Sequence, residues 1–244
     1  MEKKFELTDN FVINGFGIKL FQIKCTKSFK YANEGDLGGY VEKEDNLSQS
    51  GDAWVSGDAL VSGNARVSGD ALVSGNARVS GDALVSGNAK VSGDARVSGD
   101  AWVSGNAWVY GDARVSGNAL VSGNAKVSGD ARVSGDAWVS GDAWVSGDAW
   151  VYGDARVSGN AKVYGDARVE NNHMHCGFDC FGSCNRHTHA YKTKGNKVEI
   201  TCGCFRGSLE KFEKKVEETH KGTIYEKQYK AIINLIKIKF GIDG

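Results

Sequence analysis

The chain has 244 residues, and its 30 Lys and Arg residues balance its 30 Asp and Glu residues. Balanced charge gives no global field that would favour nucleic acid or an acidic membrane as a partner. Residues 1–11 are charged and lack the apolar core of a signal peptide, and no apolar run is long enough to span a bilayer. We therefore expect a cytoplasmic protein whose six Cys residues are thiols or metal ligands, not disulfides.

Residues 1–50 are predicted to form an N-terminal β-hairpin cap. Asn14 and Gly15 are a strong hairpin turn signal. They lie between two apolar runs, residues 11–13 and residues 18–23, which are expected to be the paired strands.

Residues 51–170 consist of twenty six-residue repeats of the form G-(D/N)-A-x-V-(S/Y), without an insertion. Ala and Val lie two residues apart, so in an extended strand they point to one side and the residue between them points to the other. Ser-Gly-Asp or Ser-Gly-Asn then supplies a turn, because Gly tolerates positive φ and Asp or Asn can hydrogen-bond its own backbone. A period of six does not fit an α-helix, and the pattern predicts a β-solenoid filled by Val and Ala. Val41, Leu47 and Ala53 are also six residues apart, so we expect the repeat to begin irregularly before residue 51.

The repeat resembles the hexapeptide repeat of left-handed parallel β-helices, with Val at the aliphatic position and Ala at the small one. This resemblance implies an all-β fold with a triangular cross-section and three repeats, or eighteen residues, per coil. Twenty repeats would then form about 6.7 coils, and at roughly 4.8 Å per stacked strand the rod would be about 32 Å long.

The residue between Ala and Val points outward, and grouping these residues by eighteen assigns them to three faces. The first face carries Leu60, Arg78, Arg96, Arg114, Arg132, Trp150 and Arg168. The second carries Arg66, Leu84, Trp102, Leu120, Trp138 and Arg156. The third carries Trp54, Leu72, Lys90, Trp108, Lys126, Trp144 and Lys162. On the first face Asp residues at the corners alternate with Arg, and we interpret this pattern as a solvated ion ladder worth little per pair.

Large apolar side chains form a continuous stripe on the second face. Exposed apolar stripes usually mark an interface, and Trp is a favoured anchor. The predicted interface residues are Leu84, Trp102, Leu120 and Trp138, together with Trp108 and Trp144 of the third face. The alternative is that the aromatic ladders only stiffen the solenoid, in part by cation–π stacking within the rod.

The repeats lack the groups that enzymes with this type of coil use. Acyltransferases on left-handed β-helices have a His in or beside the coils as general base, and zinc-dependent carbonic anhydrases on this fold take His ligands from the coils. Residues 51–170 contain no His and no Cys. An acyl transfer needs a base near neutral pKa to deprotonate the acceptor. We therefore expect no catalytic residues and no bound organic cofactor, and a hexapeptide-type acyltransferase is the least favoured function.

Residues 171–244 are predicted to form a small C-terminal α+β domain. Residues 198–202 alternate like a strand. Ser208 is placed to cap one helix, and Thr223 with Glu226 has the pattern of a capping box for the last helix.

One cluster in this segment has the chemistry of a metal site, because thiolate and imidazole suit zinc. The candidate ligands are Cys180, Cys184, Cys202 and Cys204, with His187 as a substitute. The spacing of these Cys residues is not that of a standard zinc finger or ribbon. The alternative is that Cys202 packs into the small core and the rest is a polar loop.

The two flanks, together with the repeat, resemble phage- and prophage-encoded hexapeptide-repeat proteins. At the N-terminus the resemblance rests on residues 20–24, 35–42 and 46–48. At the C-terminus it rests on Cys202-Gly203-Cys204-Phe205, Gly207, Phe212, Val216, Thr219-His220 and the last helix. The resemblance implies a phage context, with the host cell cytoplasm as location, and a modular plan without an assigned activity. Cys180 and Cys184 are not part of the pattern.

Two classes of function are consistent with these features. In the first, the protein is a non-enzymatic β-helical scaffold that self-assembles through its aromatic faces, most simply as a trimer, because left-handed β-helix proteins commonly associate side by side as trimers. In the second, it is a phage-encoded inhibitor, for example an anti-CRISPR protein, that binds a host defence protein directly. Neither a membrane nor a nucleic acid is expected as a partner.

Overall fold

The structure, a computed structural model, describes residues 3–242. The predicted end domains, residues 1–50 and 171–244, each extend two residues beyond this range. Between the ends runs a parallel β-solenoid of about seven turns, and a sheet with two helices follows it.

The N-terminal segment forms β1 (Phe5–Ile13), β2 (Lys19–Cys25) and β3 (Leu37–Val41), followed by a 3₁₀ turn at Glu44–Asn46. β1 and β2 pair antiparallel, and the backbone N–H of Asn14 donates to the Ile18 carbonyl at 2.9 Å. The predicted hairpin is confirmed, although β1 begins six residues earlier than the apolar run suggested. β2 pairs antiparallel with β3, and β3 pairs parallel with the second coil strand.

The repeats form twenty strands of two residues, each made of the outward residue and the following Val. In chain order, β4 to β23 are Trp54–Val55, Leu60–Val61, Arg66–Val67, Leu72–Val73, Arg78–Val79, Leu84–Val85, Lys90–Val91, Arg96–Val97, Trp102–Val103, Trp108–Val109, Arg114–Val115, Leu120–Val121, Lys126–Val127, Arg132–Val133, Trp138–Val139, Trp144–Val145, Trp150–Val151, Arg156–Val157, Lys162–Val163 and Arg168–Val169. Each strand pairs in parallel with the strand eighteen residues later, so the coils build three parallel sheets. The predicted solenoid and its period of eighteen residues are confirmed.

The Val and Ala side chains of the coils fill the interior and are fully buried. The corners are tight because the Gly residues stack on one another. Gly93 has φ of 69°, and a Cβ added there would lie 3.0 Å from the backbone nitrogen of Gly111. Gly is therefore needed at this corner both for its positive φ and for the close approach of the next coil.

The first coil is irregular, as predicted, but the residues that pair across it are not separated by the expected eighteen positions. Val41 pairs with Val61, and Leu47 forms a bridge with Val67, in both cases twenty residues later. From Val55 onward the separation is eighteen residues. Val41 and Leu47 therefore occupy the inward position that Val55, not Ala53, occupies in the next strand. Two extra residues lie between Leu47 and Val55.

The C-terminal segment forms β24 (His175–Phe181), β25 (Arg186–Lys192), β26 (Val198–Cys202) and β27 (Phe205–Ser208), followed by α1 (Leu209–His220) and α2 (Ile224–Phe240). The four strands make an antiparallel sheet in chain order. The helices pack against one side of this sheet. Its core residues are Ala190, Val198, Ile200, Cys202, Leu209, Phe212, Val216, Tyr229, Ile232, Ile233 and Ile236.

Both predicted helix starts are confirmed. The Ser208 hydroxyl accepts from the Lys211 backbone N–H, and the Thr223 hydroxyl accepts from that of Glu226. The reciprocal half of the capping box is displaced by one residue, because the Glu226 carboxylate accepts from the Gly222 N–H at 2.6 Å. The strand predicted at residues 198–202 is β26. The region considered as a polar loop is instead β24 and β25.

Candidate interaction surface

The outward residues fall on three sheets in the predicted grouping, as the pairs Arg96 with Arg114 and Trp102 with Leu120 illustrate. We call the side with Arg78, Arg96, Arg114, Arg132 and Arg168 the charged face. The side with Leu84, Trp102, Leu120 and Trp138 is the aromatic face. The side where Lys90, Trp108, Lys126, Trp144 and Lys162 alternate is the mixed face.

The aromatic face exposes mainly carbon. Trp102 is 47% exposed and Trp138 is 41% exposed, whereas Leu84 and Leu120 are half-buried. The indole N–H of Trp102 already donates to the Ser86 hydroxyl at 3.1 Å, and that of Trp138 donates to the Ser122 hydroxyl at 3.3 Å. Since the polar atom of each indole is satisfied within the chain, a partner on this face would cover apolar surface without stranding a hydrogen-bond donor.

The mixed face is more self-contained. The Lys126 ammonium lies 5.8 Å from the centre of the Trp144 ring, and Trp144 also contacts Tyr164 edge-on. Trp108, which is 40% exposed, packs on Tyr110 at 4.7 Å. The stacking expected as an alternative is thus present on this face, and it also occurs at one end of the aromatic face, where the Arg156 guanidinium lies 5.8 Å from the centre of the Trp138 ring.

The ion ladder predicted for the charged face is not formed. Within residues 3–242, no coil Arg has a side-chain nitrogen within 4.0 Å of a coil Asp oxygen. Trp150 interrupts the Arg residues, and Arg132 and Arg168 pack against its ring at 5.9 and 5.7 Å. The Arg168 guanidinium also donates to the backbone carbonyls of Asp148 and Ala167, each at 2.9 Å.

The N-terminal end of the solenoid is closed by the chain itself. Each coil offers its carbonyl groups toward this end, and the first coil has no preceding coil to occupy them. On the mixed face, the buried Lys4 ammonium donates to the Ala53 carbonyl at 2.8 Å and to the Gly51 carbonyl at 3.2 Å. On the aromatic face, the Asn46 amide donates to the Ala65 carbonyl at 2.8 Å.

On the charged face β3 continues the sheet, and the Tyr40 N–H donates to the Ala59 carbonyl at 2.9 Å. All three sheets are thus capped at this end. Burial lowers the pKa of Lys4 from 10.5 to about 8, which reflects how far its ammonium has been removed from water.

The C-terminal end is closed by the sheet of β24 to β27. The Lys162 carbonyl accepts from His189 Nδ1 at 3.1 Å and from the Thr201 hydroxyl at 3.3 Å. The Tyr164 N–H donates to the Tyr191 hydroxyl at 3.3 Å, and the Arg156 N–H donates to the Asn172 side chain at 2.9 Å. A second rod cannot stack on either end through free backbone groups unless these caps are displaced.

Three His residues lie on the side of this sheet that faces the coils. His175 Nδ1 is 3.0 Å from His189 Nε2, and His187 Nδ1 is 2.7 Å from a carboxylate oxygen of Asp179. Burial lowers the pKa of His175 to about 4 and that of His189 to about 3. Because His189 donates from Nδ1 to the Lys162 carbonyl, its Nε2 is the acceptor, so the His175–His189 contact requires a neutral His189 and a proton on His175 Nδ1.

The predicted metal ligands are not gathered into one site. Cys202 is buried on the helix side of the sheet, where the Thr188 hydroxyl donates to its sulfur at 3.3 Å, whereas His187 lies on the coil side. Cys180, Cys184 and Cys204 are exposed. Across residues 3–242, no three or more His, Cys, Asp or Glu side chains are arranged to hold a metal ion. Zinc binding stays a prediction that a metal analysis of the purified protein can test.

The residues that close the ends were not identified from the sequence. His187, His189 and Tyr191 alternate with Thr188 and Ala190, which is the pattern of a strand with two different faces. A strand could have been predicted there, but the imidazoles look polar although they are packed between two layers.

No helix in residues 3–242 is both long and apolar enough to cross a membrane.

Residues 83–185 match a family model described as Bactofilin, polymer-forming cytoskeletal. Residues 53–69, 59–75, 65–79 and 71–87 each match a model described as the YdcK beta solenoid repeat. No curated protein matches the chain. The chain is thus a β-solenoid repeat protein, similar over less than half of its length to a polymer-forming family.

Proposed function

We propose that this protein is a non-enzymatic scaffold whose rods self-assemble side by side through the aromatic face. The observation that carries the proposal is the contrast between the two capped ends and the exposed carbon surface of Trp102 and Trp138. The similarity of residues 83–185 to a family described as polymer-forming supports self-assembly as the general role.

The direction of assembly follows from the caps. End-to-end growth would require Lys4, Asn46 and the C-terminal sheet to leave the backbone groups that they satisfy. Each abandoned buried group would cost about 1–3 kcal/mol unless the new partner replaced the hydrogen bond. Lateral contact on the aromatic face carries no such cost, because both indole N–H groups are already bonded within the chain.

Several finer features belong to this proposal and rest on the resemblances. They are the left-handed sense of the coil, its triangular cross-section, a trimer as the basic assembly, the phage origin and the cytoplasmic location. Absence of catalysis rests on the lack of His and Cys in residues 51–170. The inhibitor alternative stays a prediction, because no contact among the described residues favours a host protein over a second copy.

The test is the solution mass of a double variant, Trp102→Lys with Trp138→Lys. Two charges placed on the aromatic face would have to be buried in the contact, so we expect the mass from sedimentation equilibrium to fall to that of the monomer at about 1 M salt, where contacts between exposed charges are screened. The matched control is Arg114→Lys with Arg132→Lys, which places the same side chains on the charged face and keeps the charge.

An unchanged mass of the Trp double variant would remove the aromatic face from the interface. A monomeric wild-type protein at about 100 μM, a concentration at which a specific lateral contact is populated, would contradict self-assembly itself.

A further inference from the structure

The charged face carries two parallel columns of opposite charge. The acidic column consists of Asp94, Asp112, Asp130, Asp148 and Asp166, one at the corner of each successive coil. The basic column consists of Arg78, Arg96, Arg114 and Arg132, which are direct neighbours in the sheet. In one repeat the Asp and the Arg are separated by a single buried Ala, so both point outward and the two columns run side by side along the rod.

These two columns are not joined by direct ion pairs. No ion pair within 4.0 Å joins them in the part of the chain that the structure describes. Neighbouring members of one column carry like charges about 4.8 Å apart, an arrangement that disfavours the isolated rod. Both columns are exposed over the coils from Asp94 to Arg132.

At the other corners Asn relieves part of this repulsion, although Asp82 still neighbours Asp100 and Asp136 still neighbours Asp154. The Asn64 amide donates to the Asp82 carboxylate at 3.0 Å, and the Asn118 amide donates to Asp136 at 2.8 Å. An Asn that precedes an Asp in a corner column thus compensates that carboxylate with a hydrogen bond. In the acidic column, the Asn76 amide donates to the Asp94 carboxylate at 3.0 Å. No Asn lies between Asp94 and Asp166, so the later carboxylates of this column, Asp112, Asp130 and Asp148, lack this compensation.

We propose that the charged face binds a second copy of this chain, with the two rods parallel and related by a twofold axis along the rods. This operation carries the acidic column of each rod onto the basic column of the other. Arg96, Arg114 and Arg132 of one copy then stand opposite Asp94, Asp112 and Asp130 of the second, each at the same level along the rod. A twofold axis perpendicular to the rods would instead place like columns against each other, so the charge pattern selects the parallel arrangement.

The inference rests on the proposed function, since it supplies a second lateral contact for the same scaffold. A twofold contact uses the same patch on both copies and closes at a dimer. The charged and aromatic faces belong to different sheets of the rod. When every copy uses both faces, no closed dimer or ring can form both contacts for all copies. The assembly of parallel rods is then open-ended.

The experiment uses two complementary triple variants of the full chain. The acidic variant is Arg96→Asp, Arg114→Asp and Arg132→Asp, and the basic variant is Asp94→Arg, Asp112→Arg and Asp130→Arg. All six positions are exposed, and circular dichroism with a melting curve checks that each variant keeps the solenoid.

Each variant alone is expected to associate at least about tenfold more weakly than the wild type at about 0.05 M salt. An equimolar mixture is expected to recover the association, as a complex that contains both variants. Addition of about 1 M salt should weaken both the wild-type contact and the mixed contact.

Self-association of each variant at the wild-type level, or a mixture no stronger than its components, would overturn the inference. Either result would leave the aromatic face intact as the interface if the wild type still assembles. Failure of the proposed function is a separate outcome, since it would appear as a monomeric wild type.

Discussion

Lys4 is a residue whose role only the folded chain reveals. Its ammonium is buried and donates to the Ala53 and Gly51 carbonyls, and so takes the place of a coil that would precede the first one. Nothing near Lys4 in the sequence distinguishes it from Lys3, because its partners are nearly fifty residues away.

Lys4→Met tests this role, because Met has a similar length and no donor. We expect the free energy of unfolding to fall by about 1–3 kcal/mol, since two carbonyls at the edge of the coil lose their partner. Chemical denaturation measures the change. Lys3→Met is the matched control: Lys3 is exposed and pairs only with Glu44, so its loss should cost less than about 1 kcal/mol. Equal effects of the two substitutions would show that Lys4 does not cap the coil.

At the scale of elements, the sheet of β24 to β27 packs on the last coil through His175 and His189, whose burial favours their neutral forms. The pKa of His175 is lowered to about 4 and that of His189 to about 3, against 6.5 in the unfolded chain. Between pH 6.5 and pH 4 the unfolded chain therefore binds more protons than the folded one. The contribution of these two His residues to stability is therefore complete above pH 6.5 and decreases as the pH falls toward 4.

His175 alone accounts for about 3 kcal/mol of this loss, at about 1.4 kcal/mol per pKa unit. We expect His175→Gln to flatten the fall of the melting temperature between pH 6.5 and pH 4, because Gln keeps a polar side chain without titrating. His173, which is exposed outside the cluster, provides the control variant His173→Gln. If both variants follow the wild-type profile, protonation of the cluster does not control the junction.

The elements also show how far the sequence determines the fold. The coils were predictable because each repeat presents the same Ala, Val and Gly positions, and the three faces follow once the period of eighteen is known. The pairing of the first coil could not be predicted. Ala53 continues the six-residue spacing of Val41 and Leu47 only by coincidence, because the chain inserts two residues before Val55.

The interaction surfaces were predictable only in part. The outward positions of Trp102 and Trp138 follow from the period, whereas the bonds of their indoles to Ser86 and Ser122 depend on how each ring lies across the corner of the preceding coil. The closure of the ends depends on contacts between distant residues such as His189 and Lys162. A local pattern cannot report such contacts.

At the scale of the whole molecule, the proposed function predicts that rods with capped ends and free faces associate side by side. The solenoid resembles a polymer-forming family over residues 83–185, yet here each end of the coil is bonded to a segment of its own chain. In this account the number of repeats determines the length of the rod, and the side chains on its faces determine how rods associate.

Small-angle X-ray scattering of the wild-type protein over a concentration series tests this account most directly, because it resolves the length of a particle from its cross-section. We predict that the cross-section grows with concentration while the length stays that of one protomer, about 32 Å for the coils plus the two caps. A length that increases in multiples of the rod at constant cross-section would contradict lateral assembly and show that the caps open.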